Sequence, residues 1–340
     1  MGHDPLLMSA LVALIIAIAG VRLIEQVARR RDLLDHPNWR SSHDIPTPRL
    51  GGVGMIVAVV AASVAVSAPT GDAGLYLAAA VLMALVGLVD DLRSLSQIVR
   101  LVLQTLVALV LVASLHRSLT VELPGWSITI DGVVAIILGT VWIVGVLNIW
   151  NFMDGLDGIA AGTSAVVLVG LTALGGPAGV LVAAAAACLG FLTWNHSKAS
   201  IFMGDSGSTF LGFLVACAVF VAPGEVPMVP LAIVLAPFLF DATFTLLVRA
   251  RNRKPLFDAH REHLYQRLAD SGVEHRSIVA GYWSAAAACT IVAVEYVGGQ
   301  PAPQLLALVV IIATCLGSVA FVRRRERGRV ESREVAVPQA

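Results

Sequence analysis

The sequence predicts an all-α polytopic membrane protein with about eleven transmembrane helices, its N-terminus outside and its C-terminus cytoplasmic. Three observations predict this. Hydrophobic residues are 57% of the 340 and charged residues only 14%, against about 45–50% and about 25% in a soluble domain. Mean hydropathy is +0.83. Apolar runs long enough to cross a bilayer, roughly 20 residues, recur along the chain, and basic residues fall almost entirely in alternate gaps between them. So much apolar surface excludes disorder. The four cysteines (Cys188, Cys217, Cys289, Cys315) lie far apart in apolar stretches without a CxxC pair, which excludes a disulfide scaffold. Zero net charge gives no reason to expect nucleic-acid binding.

The eleven apolar stretches are 6–24, 51–68, 74–90, 98–115, 132–148, 159–175, 177–194, 207–222, 226–248, 277–297 and 302–322. None shows the period-2 alternation of a membrane β-barrel, and the glycines and prolines within them are normal for membrane helices. The first is not read as a secretory signal: its leader carries no positive charge, and Arg22 and Arg29–Arg31 follow the apolar core, the reverse of a cleaved signal's polarity. With eleven spans, 22 of the 23 basic residues fall on one side and only Arg117 on the other. The positive side is cytoplasmic. The opposite loops, roughly 69–73, 116–131, 223–225 and 298–301, are short and bland. Residues 1–325 read as one integral-membrane unit with its chemistry on the cytoplasmic face, and 326–340 as a polar cytoplasmic tail.

The cytoplasmic loops hold the reactive side chains. Asp90 and Asp91 end one span, Asp154 and Asp157 begin another, and Asp205 precedes a third. Carboxylates at a membrane edge are costly unless solvated, paired or bound to a cation. Five from three loops on one face suggest a shared cation site, and oxygen ligands suit Mg²⁺, with Mn²⁺ as the alternative. Singly, Asp-Asp could mark the interface, Asp-Gly could form turns and Asp205 could cap a helix. Asn148, Asn151, Asp154 and Asp157 recur every third residue, an arc of roughly 180° on a helix. Gly155 and Gly158 therefore suggest that the helix opens into a loop there. Arg40, His43 and Arg49 flank a Pro-Thr-Pro turn, and His260, Arg261, His263 and Arg267 form a second basic cluster. Orientation alone needs no histidine, so both clusters suggest an anionic ligand.

Five segments in this order, DHPNWRSSHDIPTPRLGG (35–52), GLVDDLRSLSQIVRLVLQ (87–104), NIWNFMDGLDGIAAG (148–162), NHSKASIFMGDSGSTFLGF (195–213) and HREHLYQRL (260–268), resemble the polyprenyl-phosphate N-acetylhexosamine-1-phosphate transferase family. That family includes the undecaprenyl-phosphate GlcNAc-1-phosphate transferases and the phospho-MurNAc-pentapeptide transferase of peptidoglycan synthesis. The segments cover about two-thirds of the chain. The resemblance implies a multi-pass protein of the bacterial inner membrane that transfers a sugar 1-phosphate from a UDP-N-acetylhexosamine to a polyprenyl phosphate and releases UMP. A homodimer is a candidate assembly. It further implies Asp205 as a metal ligand with Asn151 beside it. Asp90 and Asp91 would handle the lipid phosphate or the metal. Asp154 and Asp157 form an essential pair, and Asn195 lies on the nucleotide side. Asn148, His43, Arg49 and His260 complete the expected substrate contacts. The family's last loop usually carries a run of histidines. Here His263 keeps the first position, while Tyr265 and Gln266 replace the others. His263 and Arg267 are therefore expected on the diphosphate, with Tyr265 and Gln266 shaping the choice of sugar. The HRxHLYQRL pattern resembles the subgroup that initiates O-antigen and related surface glycans, with GlcNAc or a 6-deoxy relative as the sugar.

Two other membrane classes fit less well. A secondary transporter places its acids near the bilayer midplane between internal repeats, and no repeat relates the two halves here. A CDP-alcohol phosphotransferase follows its first Asp-Gly with Ala-Arg, where this chain has Leu156-Asp157. A scaffold without catalysis would not need every acidic motif position filled.

Overall fold

The computed structural model describes residues 4–37, 45–256 and 260–336. Helices dominate. In order they are α1 (Pro5–Arg30), α2 (Gly51–Ala62, continued by a π-helical turn Ser63–Ser67), α3 (Gly71–Arg93), α4 (Gln97–Leu115), α5 (Gly132–Met153), α6 (Ile159–Ala173) and α7 (Ala178–Leu192). There follow α8 (Gly204–Cys217, continued by a 3₁₀ turn Ala218–Val221), α9 (Met228–Val234), α10 (Ala236–Arg251), α11 (Leu264–Asp270), α12 (His275–Tyr296) and α13 (Pro301–Ala336). All eleven apolar stretches are thus helical. Among the described residues seven helices are long and apolar enough to cross a membrane, and an eighth if α9 and α10 count as one span. Those two are bent by 87° at their junction, so the stretch 226–248 is not the straight helix its hydropathy suggests. Pro237 in the first turn of α10 has no N–H to continue the ladder from α9.

α6 and α7 have 15 residues each, about 22 Å of helix against a hydrocarbon core of about 30 Å. Both are buried along most of their length. Protein rather than lipid therefore surrounds their ends, where backbone groups could not be left unsatisfied. α8 lies at the centre, with 89% of its apolar window buried, whereas only 11% of α13's is. Bare backbone lets the central helices meet: a Cβ on Gly54 would lie 2.6 Å from the Val21 amide, and one on Gly212 would lie 2.8 Å from Leu147 Cα.

Two small sheets depart from the all-α expectation. β1 (Leu34–Asp35) pairs with β2 (Thr47–Pro48). The stretch 116–131, expected to be a bland loop, folds into a hairpin of β3 (Leu119–Leu123) and β4 (Trp126–Ile130), with Leu119 opposite Ile130 and Leu123 opposite Trp126. Its turn is Pro124-Gly125, with Gly125 at φ +77°, a conformation that favours glycine. A third strand, β5 (Val226–Pro227), adds to β3 in parallel. α13 runs as one helix to Ala336, without a break at residue 326.

Connectivity fixes which ends meet. α1, α3, α5, α7 and α10 end, and α2, α4, α6, α8 and α12 begin, at the same end of the bundle. The β3–β4 hairpin, between the end of α4 and the start of α5, lies at the other.

Candidate active site

The acidic loops meet in one cleft of about 1090 Å³ where those helix ends converge. Its walls include Asp90, Asp91, Asp154, Asp157 and Asp205, with Asn151, Asn195 and Arg49. The ends of α3 and α5, the turn after α5, the segments before α2 and after α7, and the first turn of α8 supply these residues.

Asp91 does not face the cleft as an open carboxylate. Its Oδ1 accepts the Asp205 N–H and its Oδ2 the Ser206 N–H, both at 2.9 Å. It therefore caps α8 from another helix and fixes the residue that carries the Asp205 side chain. Gly204 makes this possible: its φ is +76°, and a Cβ there would lie 2.8 Å from Asp91 Oδ2. Asp90 accepts the Leu95 N–H at 2.7 Å and the Arg100 guanidinium at 2.6 Å. Arg100 also stands 3.6 Å from Asp205 Oδ2. The Asn151 amide donates to Asp205 Oδ1 at 2.7 Å and to Ser208 Oγ at 2.9 Å, so Asn151 orients Asp205 with its donor group. Asp157 accepts the Ala199 N–H at 2.9 Å. Asn195 clamps the same loop, accepting the Gly158 N–H at 2.8 Å and donating to the Ile201 carbonyl at 2.9 Å.

Negative charge is in excess here. Burial, and then the carboxylates of Asp205, Asp157 and Asp91, push Asp154 up to about 7. This crowding of oxygen donors fits a hard divalent cation. Among the described residues no three acidic, histidine or cysteine side chains form a ready-made metal shell. The donor set suits an ion that takes one or two carboxylates and fills its other positions with water and phosphate oxygens, as Mg²⁺ does.

The last basic cluster lies elsewhere. His263 is 2% exposed and starts α11. Its ring stacks on Tyr265 with centroids 5.9 Å apart, and its Nδ1 stands 3.4 Å from Asp241 Oδ1. Arg267 makes two bonds to Glu326 of α13, at 2.8 and 2.7 Å, beside a separate basic cleft that includes Lys254 and Arg323. Tyr265 is fully buried. Burial pushes its hydroxyl well up, and this protonated group donates to the Phe152 carbonyl at 3.1 Å. His263 and Arg267, expected on the diphosphate, and Tyr265, expected to shape the choice of sugar, thus face protein partners, and none of the three lines the acidic cleft. In α11 it is Gln266 that borders the acidic cleft. His260 packs 4.9 Å from His263, ring to ring, outside the cleft lining. Asn148 also turns away, donating to Gln104 Oε1 and the Val144 carbonyl, both at 2.8 Å. His43, with Arg40, lies outside the described residues.

Sequence reading missed Arg100, Lys198, Ser208 and His275, which border the cleft. As basic residues beside apolar spans, Arg100 and Lys198 read from sequence only as orientation charges. Arg100 lies in the first turn of α4, and its place ten residues from Asp90 is the available signal.

Residues 73–222 match the model of glycosyl transferase family 4. The chain is 31% identical over 293 residues to the probable undecaprenyl-phosphate N-acetylglucosaminyl 1-phosphate transferase of Bacillus subtilis, covering 81% of this chain and 82% of that one. The chain belongs to glycosyl transferase family 4. Within the family it is 30% identical over 312 residues to the decaprenyl-phosphate N-acetylglucosaminephosphotransferase of Mycobacterium tuberculosis, covering 79% and 77%. It is 27% identical to the phospho-N-acetylmuramoyl-pentapeptide-transferase of Saccharopolyspora erythraea, covering 83% and 93%. This family member is a multi-pass membrane protein, and the matched region spans the carboxylates of the cleft.

Proposed function

We propose that the chain transfers an N-acetylhexosamine 1-phosphate, GlcNAc or a 6-deoxy relative, from its UDP-sugar to polyprenyl phosphate. The observation that carries this reading is the convergence of Asp90, Asp91, Asp154, Asp157 and Asp205 on one cleft at the helix ends. Relatives named for this transfer to undecaprenyl and decaprenyl phosphate support it. The cleft belongs on the cytoplasmic face of the bacterial inner membrane, with eleven crossings, the N-terminus outside and the chain acting as one transferase unit. The one-sided distribution of basic residues supports that orientation.

An oxygen of the lipid phosphate attacks the β-phosphorus of the UDP-sugar. The new P–O bond forms as the bond from that phosphorus to the bridging oxygen breaks, and UMP leaves with the bridging oxygen. The second pKa of a phosphomonoester is near 6, so the lipid phosphate arrives mostly as a dianion and needs no general base. Asp205, with Asp154 and Asp157 lining the same cleft, would hold Mg²⁺ or Mn²⁺, which would neutralise charge on the diphosphate. Asp91 and Asn151 fix Asp205 in place. Arg49, Arg100 and Lys198 bring the positive charge that a diphosphate and a lipid phosphate require.

The test is to incubate the purified chain with undecaprenyl phosphate, Mg²⁺ and a panel of UDP-N-acetylhexosamines that includes UDP-MurNAc-pentapeptide. A polyprenyl-diphospho-N-acetylhexosamine in the lipid fraction, identified by mass, is expected. Product from the pentapeptide donor alone would move the chain to peptidoglycan synthesis, and no lipid product with any donor would refute the reading.

A further inference from the structure

Asp241 lies inside α10 and is 1% exposed, outside the residues that border the acidic cleft. A carboxylate so deep in a membrane helix is expensive unless its oxygens are fully engaged, and here they are. Oδ1 accepts the Leu264 N–H at 2.7 Å and Oδ2 the Tyr265 N–H at 3.2 Å. Thr245 Oγ1 donates to Oδ1 at 3.3 Å, and the Tyr282 hydroxyl of α12 donates to Oδ2. The His263 ring faces the same carboxylate. Two of these donors are the first amides of α11, which have no partner within their own helix. One side chain therefore ties α10, α11 and α12 together.

α11 in turn touches the catalytic loop. The Tyr265 hydroxyl donates to the Phe152 carbonyl at 3.1 Å, two residues before Asp154. It also packs so closely on Gly155 that a Cβ there would overlap it. The next residue, Gln266, borders the acidic cleft. We propose that Asp241 is a positioning residue: by fixing the N-terminus of α11 it makes Tyr265 a brace for the Phe152–Gly155 turn and holds Gln266 at the substrate cleft. This rests on the transfer reading above.

The experiment compares purified Asp241→Asn, Tyr265→Phe and Thr245→Val with the parent chain, which must itself show transfer for the activity arm to be read. Asparagine keeps one acceptor oxygen and loses the second. Phenylalanine keeps the packed ring and loses only the bond to Phe152. Valine removes a donor to Asp241 within α10 and leaves α11 untouched. Hydrogen exchange, measured without substrate, is expected to quicken across residues 152–158 in both Asp241→Asn and Tyr265→Phe, by about 2- to 10-fold, the range of one lost hydrogen bond. In both, kcat should fall by a similar factor with KM for the lipid unchanged. Thr245→Val should match the parent in exchange and turnover. If Asp241→Asn does not fold, Tyr265→Phe decides alone. Parental exchange in residues 152–158 of Tyr265→Phe would overturn the proposal, as would a change in Thr245→Val equal to that in Asp241→Asn. The exchange arm reads the brace even if the parent chain fails to transfer any sugar, so the two readings fail separately.

Discussion

Asp91 and His260 show how single side chains in this chain do work that their motif position does not announce. Asp91 binds two backbone amides of α8, so Asp91→Ala should cost about 1–2 kcal/mol of stability, the value of a lost helix cap, in addition to activity. Denaturant unfolding in detergent checks this; an inactive variant of parental stability would mean that Asp91 acts on substrate instead. His260 gives a pH dependence. Burial, then the neighbouring His263 and Arg249, push it from its ordinary 6.5 down to about 4. Between those values the unfolded chain takes up a proton that the folded chain refuses. Stability should therefore fall as pH drops from about 6.5 to about 4, and His260→Gln should flatten the thermal-midpoint profile in that window. An unchanged profile would show that His260 titrates normally.

At the scale of elements, α4 and α11 exchange the roles that the sequence suggests for them. The basic cluster of 260–267 is legible as a motif, but its protein partners are not: Arg267 is bonded to Glu326 and His263 lies against Asp241. No local pattern reveals a partner 59 residues away. Arg100, read only as an orientation charge, reaches Asp90 and stands near Asp205. Arg100→Ala should then lower transfer about 10- to 150-fold, the loss of a charge-assisted contact of about 1.5–3 kcal/mol. Arg267→Ala should change donor KM less than about 2-fold. Steady-state kinetics on both variants decide it, and the opposite ranking would restore α11 as the diphosphate contact. The five acidic positions were legible because their cost in a membrane edge leaves few alternatives. The β3–β4 hairpin was legible in principle, in the alternation of LTVEL and WSITI around Pro-Gly, but the flanking apolar runs obscured it. The bend between α9 and α10 was not, because hydropathy averages over a proline and carries no direction.

On the scale of the whole molecule, the fold places a buried central helix, α8, with its first turn at the floor of the acidic cleft, and puts the hairpin at the opposite end. A reporter fused after Ala340 should therefore report cytoplasm, and one inserted at Gly125 the outside; the reverse pattern would separate the cleft from cytoplasmic UDP-sugars. The apolar composition made the membrane class legible from the start. The short helices α6 and α7 are a property of the bundle, since only burial by their neighbours lets 15 residues stand where about 20 are needed. The most direct measurement is UMP release by the purified chain in lipid nanodiscs with undecaprenyl phosphate and UDP-GlcNAc, titrated with Mg²⁺ after EDTA treatment, for the parent and for Asp205→Asn. No release is expected without the cation, recovery on adding it, and at least about 100-fold slower release by Asp205→Asn at parental stability, about 2.7 kcal/mol of lost transition-state stabilisation. Equal release by parent and variant, with or without EDTA, would contradict this expectation.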